Sequence, residues 1–353
     1  MGPDGLGVPD PVAPASASVT RVSSLRPVSG TAEEILGLLR DWDAAEDPEP
    51  LVIATSGSSG LPKRVVLSRD AMRASALATQ ERIGGPGQWV LNLSPTYVAG
   101  VQVLYRSVVA GTEPAYETDD ATGERTYISL VPTQLYRTLD DGIEDLVRFD
   151  AVLVGGGPLS PEVRAEADGY GIRVVQTYGM SETCGGCVYD GVPLAGVEVE
   201  IDEDDQVLLR GPMLFDGYEG EAERTASVMR DGWFHTDDLG RLGPDGRLFV
   251  TGRADEVIIS GGVKVPAPAV EQMLQRHPDI ACAFVFGVPD DEWGQGVVAL
   301  VVIDDWMPPL SELRDLVTPR EWAPRRASGI REVPLLPNGK PDRLALGRMA
   351  LDA

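Results

Sequence analysis

Six short apolar runs recur between residues 51 and 176: "LVIAT" at 51–55, "RVVLS" at 64–68, "WVLNL" at 89–93, "YISLV" at 127–131, "AVLVG" at 151–155 and "IRVVQ" at 172–176. Amphipathic stretches near 69–82, 99–110, 132–141 and 161–168 stand between them. The runs have strand length and the intervening stretches helix length. A chain that alternates the two buries its apolar faces by laying helices over mainly parallel sheets. The expected fold class is therefore α/β, a large N-terminal domain of helix-covered sheets. Ahead of it, Thr31-Ala-Glu-Glu34 has the spacing of a capping box and predicts a helix with Ile35, Leu38 and Leu39 on one face.

From about 195 to 250 the texture shifts to short strands and Gly/Asp turns, such as "GVEVEI" and "QVLLR", and "GPDGRLFV" reads as a hairpin. Beyond "TGRADEVIISGG" (251–262) a second unit starts, with an expected helix near 266–276, apolar runs at 280–287 and 297–303, and a helix near 310–317. The domain division is placed at 1–254, with residues 1–30 a flexible lead, and 255–353, a small α+β domain of about a hundred residues.

Composition narrows the function. At 353 residues the chain exceeds one small core. Its net charge of −25 repels nucleic acid and anionic membranes. No nucleic-acid or membrane partner is expected, and an anionic ligand has to be held by local donors and a few placed cations. Residues 1–30 include Asp4 and Asp10 and lack both a basic start and an apolar run, unlike a signal peptide or an anchor. No stretch approaches the roughly 18 apolar residues of a spanning helix, so cytoplasmic residence is expected. Of the three cysteines, Cys184 and Cys187 have C-x-x-C spacing. With only His235, His277 and Cys282 besides, the ligand supply for structural zinc is thin, and the pair reads as small residues filling a tight turn.

Lysine usage points at particular loops. The chain has three lysines, Lys63, Lys264 and Lys340, against 27 arginines, and they stand in "SGLPK", "SGGVK" and "PNGK". "TSGSSGLPK", Thr55 to Lys63, joins two expected strands. Its small residues let the backbone close around a ligand, and its hydroxyls and N–H groups suit phosphate oxygens. The spacing fails G-x-x-x-x-G-K-[ST], which disfavours a kinase-type P-loop.

"TSGSSGLPK", "TYGMSET" (177–183), "GWFHTDD" (232–238), "TGRADEVIISGG" and "PNGK" (337–340) stand in the order seen in the adenylate-forming superfamily of acyl- and aryl-CoA synthetases, which the chain resembles over almost its whole length. "LVPTQL", "LVGGGPLSPE", "TYGMSETCGGCVYDGVPL" and "YVAGVQVLYRSVVAG" make it most similar to the o-succinylbenzoate:CoA ligases of menaquinone biosynthesis.

That resemblance implies ATP, Mg2+ and coenzyme A, and a carboxylate as small-molecule substrate; a homodimer is a further expectation. It implies that Thr55, Ser56, Gly57, Ser58, Ser59, Gly60 and Lys63 wrap the β- and γ-phosphates, Thr55 among the catalytic groups. Glu182 is catalytic and holds the metal. Gly155, Gly156, Gly157, Thr177, Tyr178 and Gly179 line the adenine and acyl-adenylate pocket, Asp238 accepts from the ribose hydroxyls, and Arg253 donates nearby. Arg106, Tyr97 and Gly100 belong to the acyl-substrate site, Arg106 as the fork for a second carboxylate. An arginine ending an amphipathic helix otherwise snorkels to water. Lys340 is the implied catalytic lysine, on a mobile C-terminal domain hinged at Asp255.

Two departures stand out. Tyr97 occupies a position where many relatives carry histidine, and Asp237 one where glycine is usual. The chain is also short ahead of the phosphate loop, which implies a trimmed N-terminal subdomain. Two other readings remain: adenylation followed by loading of a carrier-protein thiol, and a non-catalytic nucleotide-binding relative.

Overall fold

The structure, a computed structural model, describes residues 23–55, 63–141, 143–303, 306–336 and 341–353. Ser56, Gly57, Ser58, Ser59, Gly60 and Lys340, and residues 1–22 of the expected flexible lead, lie outside the described residues.

Helix α1 (Ala32–Ala44) starts at the predicted capping box: Glu34 N–H donates to Thr31 Oγ1 at 3.3 Å and Thr31 N–H to Glu34 Oε2 at 2.8 Å. Ile35, Leu36, Leu39 and Trp42 are its buried face, with Leu36 in the place expected for Leu38. Strands β1 (Leu51–Thr55) and β2 (Lys63–Leu67) pair antiparallel, Thr55 opposite Lys63. The link from Thr55 to Lys63 is far shorter than the dozen or so residues of a parallel crossover, so the candidate phosphate loop is the loop of a hairpin.

After α2 (Arg69–Ile83) comes the parallel sheet. β3 (Gln88–Val90), α3 (Val98–Ala110), β4 (Thr126–Leu130), α4 (Pro132–Asp141), β5 (Ala151–Val154), α5 (Pro161–Gly169) and β6 (Val174–Met180) follow in order. β3, β4, β5 and β6 are parallel neighbours; β7 (Gly185–Tyr189) joins β6 antiparallel. Successive side chains of these strands alternate between two cores. Trp89, Tyr127, Leu153 and Val175 pack on the side of Ile83 and Val103, while Val90, Ile128, Val152 and Val174 pack on the side of Leu135, Leu139 and Ala167.

β8 (Glu198–Ile201), β9 (Gln206–Arg210), β11 (Trp233–Leu242) and β12 (Leu248–Arg253) form an antiparallel sheet, with β11 and β12 as the predicted hairpin. Between them in sequence, β10 (Gly217–Tyr218) pairs with β2 and leads into α6 (Ala222–Val228). From Val257 the chain builds a separate sheet of β13 (Val257–Ser260), β14 (Val263–Pro266), β15 (Cys282–Asp290), β16 (Gly294–Val302) and β17 (Arg326–Ile330). Ala283, Val285, Val297 and Ala299 bury one face, with α7 (Ala267–Leu274) and α8 (Leu310–Asp315). Phe284, Val288, Val298 and Leu300 bury the other under α9 (Arg343–Leu351). Among the described residues no helix is long and apolar enough to cross a membrane.

Candidate active site

The parallel strands end where ligands of open α/β sheets gather, at their carboxyl edge. β6 pairs with β5 as far as Gln176 and from Thr177 onward with β7 alone. The sheet therefore splits at the TYG segment, beside the glycine run that follows β5. Thr177 Oγ1 donates to the Val154 carbonyl at 3.3 Å and fastens one edge of the split to the other. At Gly179 the register with β7 shifts, and a Cβ there would lie 2.1 Å from the Gly185 carbonyl oxygen. Only glycine lets the two backbones approach so closely.

Tyr178 reaches from this split to the hairpin of β11 and β12. Its hydroxyl donates to Asp238 Oδ2 at 2.7 Å, and Arg253 Nη1 donates to Oδ1 at 3.1 Å. Asp238 and Arg253 face each other across the ladder. Burial pushes the Asp238 carboxyl above its ordinary range, while the Tyr178 hydroxyl and Arg253 pull it back. Arg253 also grips Asp255 with two donors, at 2.8 and 3.1 Å, and meets Asp237 at 3.3 Å. Burial pulls the guanidinium's pKa down, and these three carboxylates more than reverse it. The extra charge at Asp237 is thus offset by Arg253, and Asp238, candidate hinge Asp255 and Tyr178 form one connected group.

A second group sits at the mouth of the β1–β2 hairpin. Thr55 Oγ1 is 3.5 Å from the Lys63 carbonyl oxygen. Lys63 Nζ is 3.9 Å from Glu182 Oε1, and Tyr218 donates its hydroxyl to the same oxygen at 2.9 Å. Glu182 is 7% exposed, on the single 3-10 turn Ser181–Thr183 after β6. Both contacts fall on Oε1. A buried hard oxygen donor beside a lysine at the hairpin mouth would suit a hard cation such as Mg2+.

Arg106 on α3 does not snorkel. It is 4% exposed, its guanidinium lies 4.9 Å from the Trp89 ring centroid, and Nη2 is 3.4 Å from the Tyr189 hydroxyl. Its Nε has no partner, and no carboxylate pairs with it among the described residues. Tyr189 stands opposite Thr177 in the β6–β7 register, which ties Arg106 to the split. Tyr97 is half-buried at the N-cap of α3, its carbonyl accepting from Val101 N–H. Gly100 packs on the preceding loop, where an added Cβ would be 2.1 Å from the Ser94 carbonyl oxygen. Alanine favours a helix interior over glycine by about 1 kcal/mol. Overpacking against fixed backbone costs about 1–3 kcal/mol, so Gly100→Ala should lower the melting temperature in calorimetry. A raised Tm would mean that the start of α3 relaxes freely.

Residues 15–219 match the family model of the AMP-binding enzyme, and residues 269–340 match that of the AMP-binding enzyme C-terminal domain. The chain belongs to the AMP-binding enzymes. This AMP-binding enzyme is 42% identical over 340 residues to a probable 2-succinylbenzoate–CoA ligase of Mycobacterium tuberculosis, covering 90% of this chain and 88% of the relative. Its fold is similar to the o-succinylbenzoate CoA synthetase of Bacillus subtilis in complex with the acyl-adenylate intermediate OSB-AMP. The TM-score is 0.74 at 27% identity, over 84% of this chain and 68% of that one. The synthetase of Bacillus subtilis in complex with ATP and magnesium ion gives a TM-score of 0.72 at 26% identity, over 84% and 69%.

Other sequence expectations for this AMP-binding enzyme meet the structure as follows. Cys184 does form a turn, at φ 52°, but Cys187 lies inside β7. Both thiols are buried, and burial pushes Cys187 up to about 12, far from the thiolate a metal requires. Lys264 is exposed on β14. Tyr218 and Trp89 lie in none of the family motifs, and Tyr189, inside "TYGMSETCGGCVYDGVPL", is given no role by them; they reach the site through strand pairing and packing.

Proposed function

We propose that this AMP-binding enzyme is an ATP-dependent acid:CoA ligase that converts o-succinylbenzoate to its CoA thioester. The observation that carries the reading is the meeting of Lys63 and buried Glu182 at the hairpin mouth, 3.9 Å apart. The named relatives support the diacid as substrate, and Arg106 supplies a reason in chemistry: a buried guanidinium with no carboxylate of its own among the described residues.

In the first half-reaction a substrate carboxylate oxygen attacks the α-phosphorus of ATP, and pyrophosphate leaves. Lys63 is assigned to the distal phosphates, and Glu182 would hold Mg2+, which when bound would neutralise phosphate charge. Asp238 receives the ribose hydroxyls, with Arg253 beside it. Lys340 is assigned to the charge that grows between the attacking carboxylate and the α-phosphate. In the second half-reaction the CoA sulfur attacks the acyl carbon, AMP leaves with the bonding electrons, and the thiol proton passes to solvent. We assign residues 1–254 to nucleotide and acyl binding and 255–353 to a mobile unit that turns about Asp255 between the two halves.

Incubation with ATP, Mg2+, o-succinylbenzoate and free CoA tests the proposal: thioester should form without any carrier protein, and its absence while pyrophosphate is still released would favour carrier loading. The hinge has its own test. Proline fixes φ near −65° and removes an N–H, so Asp255→Pro should trap one arrangement. Separate assays should find one half-reaction reduced at least about tenfold more than the other, as expected when a conformational step is blocked. Full activity in both would count against rotation at this position.

A further inference from the structure

Outside the motif residues, Tyr218 contacts both Glu182 and Lys63 of the proposed metal and phosphate site. It is 5% exposed, and its place opposite Val65 in the β10–β2 ladder puts it beside the strand that begins at Lys63. Its hydroxyl donates to Glu182 Oε1 at 2.9 Å. Lys63 Nζ lies 5.6 Å from its ring centroid on one approach and the Arg224 guanidinium 5.1 Å on another. Phe215 braces the ring edge-on at 5.0 Å, and Tyr218 N–H donates to Thr225 Oγ1 at 2.9 Å.

We propose that Tyr218 is a positioning residue for the divalent cation: its hydroxyl pins Glu182 Oε1, fixing the carboxylate so that Oε2 is the oxygen left for the metal. The proposal rests on the adenylating reading above. Its physical content is a choice between two partners. With the phenol in place, Oε1 has a neutral donor at hydrogen-bond distance, and Lys63, at 3.9 Å, is spared for phosphate. Without it, Lys63 is the nearest partner for a buried carboxylate that cannot stay unpaired. The carboxylate then turns toward the ammonium, and the oxygen held for the metal leaves its place. Partners that orient a metal ligand commonly change metal affinity by about 10- to 100-fold when removed.

Tyr218→Phe keeps the ring, its packing on Phe215 and its approach to both cations, and deletes only the donor. The test is calorimetric titration of a non-hydrolysable ATP analogue into the full chain, with Mg2+ and again with the metal chelated. We expect Tyr218→Phe to bind the metal-free analogue within about twofold of wild type and the Mg2+ complex at least about tenfold more weakly. In a Glu182→Gln background the same substitution should have no further effect on the Mg2+ complex, since partners in one network are not additive. Equal affinity of Tyr218→Phe and wild type for the Mg2+ complex, or equal weakening with and without metal, overturns the positioning role while leaving the adenylating reading intact. Failure of the wild type to bind the analogue under either condition overturns that reading itself.

Discussion

Replacing Lys340 by alanine should abolish acyl-adenylate formation while sparing thioester formation from a pre-formed acyl-adenylate. The lysine is assigned to charge that exists only while the carboxylate attacks the α-phosphate. A compact ammonium on a flexible stem suits that task. Loss of one such donor lowers rate by about 10²- to 10³-fold. Pyrophosphate release should fall by that factor, while conversion of supplied acyl-adenylate and CoA stays within about twofold of wild type, because the proposed turn about Asp255 carries the lysine out of the site for that step. An equal loss in both half-reactions would remove Lys340 from its assigned role.

The second large effect concerns Arg106. A buried guanidinium stacked on Trp89, its Nε without a partner, destabilises the free protein unless something charged completes it. The spectator carboxylate of a diacid would do so. Truncating one member of a buried charge pair costs about 2–5 kcal/mol, so Arg106→Ala should raise KM for o-succinylbenzoate by roughly 30- to 5,000-fold. Benzoate, with no second carboxylate to strand, should be affected far less. Arg106→Met keeps the stem's packing and removes the unpaired charge; its melting temperature should equal or exceed wild type even as diacid activity falls. Equal weakening of ATP and diacid, or a sharply lower Tm for the methionine variant, would make Arg106 a structural residue.

Local chemistry was legible in the sequence where neighbours along the chain decide it. Thr31 and Glu34 cap α1 because their spacing lets each satisfy the other's backbone N–H. The "GPDGRLFV" turn closes the β11–β12 hairpin for a similar local reason. Period and length look alike in parallel and antiparallel strands, and at β1 and β2 the shortness of the connecting loop is the signal that decides for the antiparallel pair. The TYG, Asp238 and Arg253 motifs were separately visible, but not that Tyr178 joins them by a hydrogen bond across 60 residues. Tyr218 had no local signature at all. It meets Glu182, 36 residues away, and Lys63 only because β10 pairs with β2. Cys184 and Cys187 have the spacing of a ligand pair, but the scarcity of other ligands already argues for packing, and both are buried, one in the turn before β7 and one in β7.

The measurement that tests the account most directly is pyrophosphate release by the purified chain with ATP and Mg2+, titrated with o-succinylbenzoate, benzoate and a simple fatty acid, followed by addition of CoA. The account predicts release that depends on the diacid, with kcat/KM highest for it, and thioester and AMP appearing when CoA is added. Release that is independent of the diacid, or faster with a monocarboxylate, would contradict it.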